Sequence, residues 1–280
     1  MSDEKGELYE KLTFANNFLF CKILSSNKEL CKELIRIITG RVVKDITPPR
    51  MEATLKETIG GKGIRLDVVF ADDENTVYNI EMQTTSNESL AKRTRYYQGL
   101  MDTSITDQGV DYAELPRSLI VFICTFDPFE AGRHVYTFEN RCLEDASIVL
   151  GDETRKVFLS TEGTTNDVTV EMKQFLDFVA GRSVEGEFAQ ALQEEVQKAR
   201  KNEKWRREFM QNMAHMWDFA RDKVKKAEAE GREEGREEGL RWMYRAVEDG
   251  DMTAEKASQI IGVSIEQFKN NMLLTGHAVP

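Results

Sequence analysis

Seven consecutive residues, Ser118-Leu119-Ile120-Val121-Phe122-Ile123-Cys124, contain no charge and no turn former. A strand with one wet face alternates apolar with polar, so an unbroken apolar run of this length predicts a strand covered on both faces, inside a mixed or parallel sheet. Short alternating or apolar runs at residues 55–59, 64–70, 76–83, 119–126 and 134–138 predict the strands of that sheet, and helical spacing over residues 88–104 predicts the crossover. Upstream, Phe14, Phe18, Leu19, Ile23, Leu30, Leu34, Ile37 and Ile38 recur at helical spacing, broken near Ser25-Ser26-Asn27 and stopped at Gly40. The order is that of an α/β layer fold, a mixed central sheet flanked by helices.

Beyond residue 166 the pattern is helical only. One seam runs through Leu192, Val196 and Ala199, a second through Phe209, Met213, Met216, Ala220 and Val224. The basic stretch from Lys198 to Arg207 reads as a solvated helix face. Gly231 to Gly239 repeats Gly-Arg-Glu-Glu, with glycines and like charges at i, i+4, which makes it a hinge or a helix that needs a partner. Thr253, Gly262 and the pair Ser264 and Gln267 mark the caps of a terminal helical hairpin, in which only Lys269 would offer a basic group to DNA. The expected division is a core at 1–165, a helical arm at 166–230, a connector at 231–240 and a hairpin at 241–280.

Composition narrows the chemistry. Cys21, Cys31, Cys124 and Cys142 form no CxxC pair, and His134, His215 and His277 lie far apart, so neither a zinc site nor a Ser-His-Asp triad has its material. Catalysis would have to use carboxylates. A net charge of −11 restricts nucleic-acid binding to a local patch. No apolar run approaches the roughly 20 residues needed to span a bilayer, and the polar start Met1-Ser2-Asp3-Glu4-Lys5 is unlike a signal peptide, so a cytoplasmic protein without a membrane segment is expected.

The chemistry-bearing stretch is Ile64 to Gln83. Two alternating runs flank Asp72-Asp73-Glu74-Asn75, which predicts an antiparallel hairpin. Ile64, Leu66, Val68, Phe70, Tyr78, Ile80 and Met82 fall on one face; Arg65, Asp67, Asn79, Glu81 and Gln83 fall on the other. Asp67 and Glu81 are equidistant from position 74, so their side chains should oppose each other about 5 Å apart. Such a pair repels unless a cation sits between, and Mg²⁺ suits it, being held by one or two carboxylates plus substrate phosphate. Gln83 could orient a water but, as an amide, cannot deprotonate it; Lys56 is a candidate for that. Arg93, Arg95, Tyr96 and Tyr97 could bind phosphate or lie near the substrate, with part of that helix packed on the sheet. A wet hairpin face with polar residues and no chemistry is the competing expectation.

Taken together, Lys56, Arg65-Leu66-Asp67-Val68, Tyr78-Asn79-Ile80-Glu81-Met82-Gln83, Arg93-Thr94-Arg95-Tyr96-Tyr97 and Phe122 to Phe129 resemble, in order and spacing, the Rpn family of recombination-promoting nucleases, also described as transposases. The resemblance runs from about Thr13 to Arg182, and the repeat and terminal hairpin are similar to tails in that family. It implies the PD-(D/E)XK superfamily, a restriction-endonuclease-like core with a C-terminal helical extension, and metal-dependent DNA cleavage. By position it implies Asp67 and Glu81 as metal ligands with the Met82 carbonyl as a third oxygen, and Mg²⁺ as cofactor with Mn²⁺ as the alternative. Gln83 stands at the superfamily's lysine position, and Asn17 where many relatives carry Asp.

The leading expectation is therefore a Mg²⁺-dependent DNA endonuclease, with catalytic Asp67, Glu81 and Gln83, and with Lys56, Arg93 and Tyr97 contacting substrate. Its link would be to recombination, transposition or defence against mobile DNA, and a homodimer through the C-terminal helices is expected. Two rivals stand beside it: a lapsed nuclease fold serving as an interaction module, and a DNA-binding recombination accessory acting through the terminal hairpin.

Overall fold

The computed structural model describes residues 8–55, 64–86, 89–105, 111–230 and 233–279. One compact unit, Thr13–Val196, carries the sheet. Its elements are α1 (Asn17–Ser26), α2 (Lys28–Thr39), β1 (Arg50–Leu55), β2 (Ile64–Ala71), β3 (Val77–Gln83), α3 (Leu90–Ile105), β4 (Ser118–Cys124), β5 (Val135–Phe138), β6 (Thr154–Ser160) and α4 (Val170–Val179), followed by most of α5 (Glu187–Arg200). The sheet order is β1-β2-β3-β4-β6-β5. β3, β4 and β6 run parallel, with antiparallel strands on either side.

β4 is buried at all seven positions, as its apolar run predicts. One set of alternate residues, Ile120, Phe122 and Cys124, packs with Leu90, Tyr97, Leu100 and Met101 of α3 and with Phe158 of β6. α1 crosses β1, β2 and β3 on the other face, where Phe70 stacks on Tyr78 at 5.3 Å. Asn16 caps α1 through the amides of Phe18 and Leu19, and Asn27 caps α2. The β2–β3 turn is tied by the buried carboxylate of Asp72, which accepts from Glu74 N, Thr76 N and the Tyr78 hydroxyl, while Asn75 takes the left-handed backbone.

Two strand expectations need correction. β6 is an interior strand, second from the edge between β4 and β5, although its residues carry no clear strand signal: Arg155 and Lys156 interrupt it, and only Val157 to Ser160 are buried. The first strand is Arg50–Leu55 rather than 55–59, where residues 56–59 lie outside the described residues. The compact unit continues past residue 165 to Val196, because Phe175, Leu176 and Phe178 of α4 bury themselves, Phe178 against Phe14 at 5.7 Å.

The second unit gathers residues 8–12 and 197–279. It holds the last turn of α5, then α6 (Glu203–Glu230), α7 (Glu233–Glu248), α8 (Ala254–Ile261) and α9 (Ile265–Leu274). Most of the glycine repeat is helical in α7, which packs along α6; a Cβ on Gly239 would lie 3.0 Å from Val224 Cγ2. The close partner of that glycine is thus within the chain. Thr253, Gly262 and the Ser264/Gln267 capping box bound α8 and α9. No helix among the described residues is long and apolar enough to cross a membrane.

Phe122 is fully buried, with ring partners Tyr97 at 6.2 Å and Phe158 at 5.5 Å. Phe122→Ala should cost about 3–5 kcal/mol, read as a lower urea midpoint; an unchanged midpoint would remove this residue from the centre of the core.

Candidate active site

Asn79, Glu81 and Gln83 pair in register with Ile120, Phe122 and Cys124 of the parallel neighbour β4. Residues paired across a sheet share a face, so all three point to the side that α3 covers. The expected wet face is therefore closed: Asn79 is fully buried and Glu81 is 3% exposed. A hairpin read alone has a free face, but β3 is an interior strand with a helix above it.

The β2–β3 ladder runs from Ala71↔Val77 to Val68↔Ile80. At the next position the strands are joined through side chains: the Asp67 amide donates to Glu81 Oε1 at 3.0 Å, and the Met82 amide donates to Asp67 Oδ2 at 3.0 Å. Each carboxylate thus accepts from the opposite strand, which places Asp67 and Glu81 face to face as the spacing predicted. Burial first, and the Asp67 charge second, push the Glu81 carboxyl well above the usual carboxylate range; the Asp67 amide, the Asn79 amide and the Arg93 charge pull the other way.

Arg93, from the first turns of α3, supplies a cation. Its guanidinium donates to Gln83 Oε1 at 2.8 Å and to the Tyr97 hydroxyl at 3.0 Å, and lies 4.0 Å from Glu81 Oε2. It also sits over the Tyr97 and Phe122 rings, 5.4 Å from each centroid. Gln83 is held at its other end by the Thr85 carbonyl, 3.0 Å from Nε2. Tyr97, expected as a substrate contact, is a core residue at 7% exposure whose hydroxyl serves Arg93. Asn17 is exposed in the first turn of α1, where its side chain accepts from Cys21 Sγ. Lys56 lies outside the described residues.

A divalent ion is tested by this donor set. Among the described residues no three His, Cys, Asp or Glu side chains come together to hold a metal, so the protein offers two carboxylates and would leave the other positions to Met82 O, water and substrate. Two observations fit that arrangement. The Asp67–Glu81 pair is disfavoured as two anions, and Asn79, two residues before Glu81 on the same face, favours the Glu81 anion through its amide yet has no hydrogen-bond partner within 3.5 Å for either the amide nitrogen or the oxygen. Buried amides without partners are rare and mark a missing water or ion, or strain held for function. The sequence placed Asn79 on this face, but only the covering by α3 makes its amide conspicuous.

A family model described as PD-(D/E)XK nuclease family transposase matches residues 14–240. The chain belongs to this family. Its mixed sheet with helices on both faces is accordingly a restriction-endonuclease-like α/β fold. PD-(D/E)XK nucleases generally use divalent metal ions. Residues 241–280 lie outside the match. No match was found among curated proteins or solved structures.

Two substitutions test the electrostatics in a chelator. Because the raised Glu81 pKa makes the folded state bind the proton more tightly, its stabilisation is full below the ordinary value of 4.5 and is lost as pH rises through the folded-state value. Glu81→Gln keeps the oxygen that accepts from Asp67 and removes the titration. Its melting temperature should match wild type near about pH 5 and exceed it by about 2–4 °C or more near about pH 9; a constant difference would refute the burial argument. Asn79→Leu, close in volume, should stabilise the protein by roughly 1–3 kcal/mol in urea, whereas a loss would show that the amide has a partner.

Proposed function

We propose that the protein is a divalent-metal-dependent DNA endonuclease in which Asp67 and Glu81 hold the ion. Mg²⁺ is the cofactor of this reading, with Mn²⁺ as the alternative. The observation that carries it is the pair of crossed carboxylate–amide bonds that fix Asp67 and Glu81 against each other where the β2–β3 ladder ends. When bound, a divalent ion would lower the pKa of a coordinated water and offset charge on the scissile phosphate.

The remaining residues position and neutralise. Glu81, buried under α3, is shielded from bulk water, so its negative charge acts at low effective dielectric. Asp67, half-buried, is the more accessible of the two carboxylates. Gln83 Oε1, already accepting from Arg93, retains a lone pair with which to orient a water, and its fixed amide cannot take the proton. Arg93 is locked by Gln83, Tyr97 and two aromatic rings, and a preorganised guanidinium beside the carboxylates suits a phosphate oxygen. Lys56 remains the candidate for proton transfer on sequence grounds. The likeness to recombination-promoting nucleases would place the cleavage in recombination, transposition or defence.

Plasmid nicking decides this reading. Wild type should nick with Mg²⁺ or Mn²⁺ and not in chelator, and Asp67→Ala and Glu81→Ala, each shown folded by circular dichroism, should lose about 100-fold or more. Cleavage that survives in chelator, or in both variants, would discard the site. A folded wild type that cuts nothing and binds no divalent ion would put the interaction-module reading first.

A further inference from the structure

α3 has two faces with different tasks. Leu90, Thr94, Tyr97, Gln98 and Met101 are buried against the sheet, and Arg93 turns inward to Gln83 and Glu81. Lys92, Arg95 and Gly99 lie on the opposite, exposed face, with Tyr96 43% exposed beside them. We propose that this outer face, through Lys92 and Arg95, binds the DNA backbone on either side of the phosphate held at Asp67 and Glu81. The inference rests on the nuclease reading above; it leaves Arg93 beside the carboxylates and moves the flanking phosphate contact expected of Tyr97 to the outward residues.

Three independent observations support it. In a chain of 49 acidic and 38 basic residues, cations readily find carboxylates, and Arg117, Arg133, Arg141, Arg155 and Arg182 of the same unit are all ion-paired. Lys92 and Arg95 pair with no described residue. Next, the first turn of α3 has no acidic residue, and its early turns carry Lys92, Arg93 and Arg95. A helix N-terminus is the positive end of its dipole, so Lys92 in the first turn costs the helix a few tenths of a kcal/mol and, with Arg93 and Arg95 on the following turn, adds to a local positive potential. That potential suits an anion supplied from outside.

Gly99 is the third observation. A mid-helix glycine costs about 1 kcal/mol relative to alanine. A Cβ added here would meet nothing within 4 Å, so no packing requirement within the described residues explains it. A bare backbone on an exposed, basic face permits close approach by another backbone. Lys92 and Arg95 flank Arg93 within one turn, and Arg93 reaches to 4.0 Å from Glu81 Oε2.

The experiment measures binding of the full-length protein to a fluorescent duplex by anisotropy, in chelator so that no cleavage intervenes, across a salt series. Each phosphate contact contributes about 0.9 to the slope of log K against log salt. Lys92→Ala/Arg95→Ala should therefore lose about 2 from the slope and about 10-fold or more in affinity at moderate salt. Its melting temperature should stay near wild type, since exposed unpaired charges hold little stability. Lys201→Ala/Lys204→Ala, the same charge change in the second unit, should leave the slope unaltered. A wild-type slope in the α3 variant overturns the inference, most clearly if the control pair loses slope instead. Wild-type protein that nicks plasmid under this outcome leaves the nuclease reading standing; one that neither binds nor nicks DNA refutes both.

Discussion

β4 can exist only as an interior strand, because all seven of its side chains avoid water, and the rest of the first unit follows from covering its two faces. Parallel pairing with β3 requires a crossover, and α3 is that crossover. Once α3 lies over Ile120, Phe122 and Cys124, it also lies over the residues that share their rows on β3, which are Asn79, Glu81 and Gln83. The covering of an apolar strand therefore buries the polar face of its neighbour. No separate element is needed to desolvate the site.

That coupling sets a local conflict between stability and chemistry. Glu81 is buried beside Asp67, and the buried Asn79 amide has no hydrogen-bond partner within 3.5 Å, each of which costs folding free energy. The surrounding apolar layer, with Phe122 stacked between Tyr97 and Phe158, supplies the compensation. The crossed carboxylate–amide bonds satisfy two backbone donors that the splayed ladder would leave unpaired, so Asp67 and Glu81 also hold the end of the sheet together.

Charge is divided with the same economy. Arg93 is turned inward and fixed by Gln83, Tyr97 and Phe122, whereas Lys92 and Arg95 on the same turns are exposed and pair with no described residue. A helix lying over a buried site must present one face to it and the other to solvent.

The sequence by itself determined the interior strand, the crossover helix, the β2–β3 turn and the opposition of Asp67 to Glu81, because these depend on local periodicity and on counting from one turn. It also marked the caps at Thr253, Gly262 and Ser264, which are local hydrogen-bond choices. Only the tertiary structure decided that the polar face of β3 is dry, that Tyr97 belongs to the core, and that β6, with just four buried residues, inserts between β4 and β5. Burial is a property of what packs above a residue, and that neighbour comes from a distant part of the chain. A pattern of alternation reports which side chains share a face, but whether that face meets water or a helix is settled when the layers close.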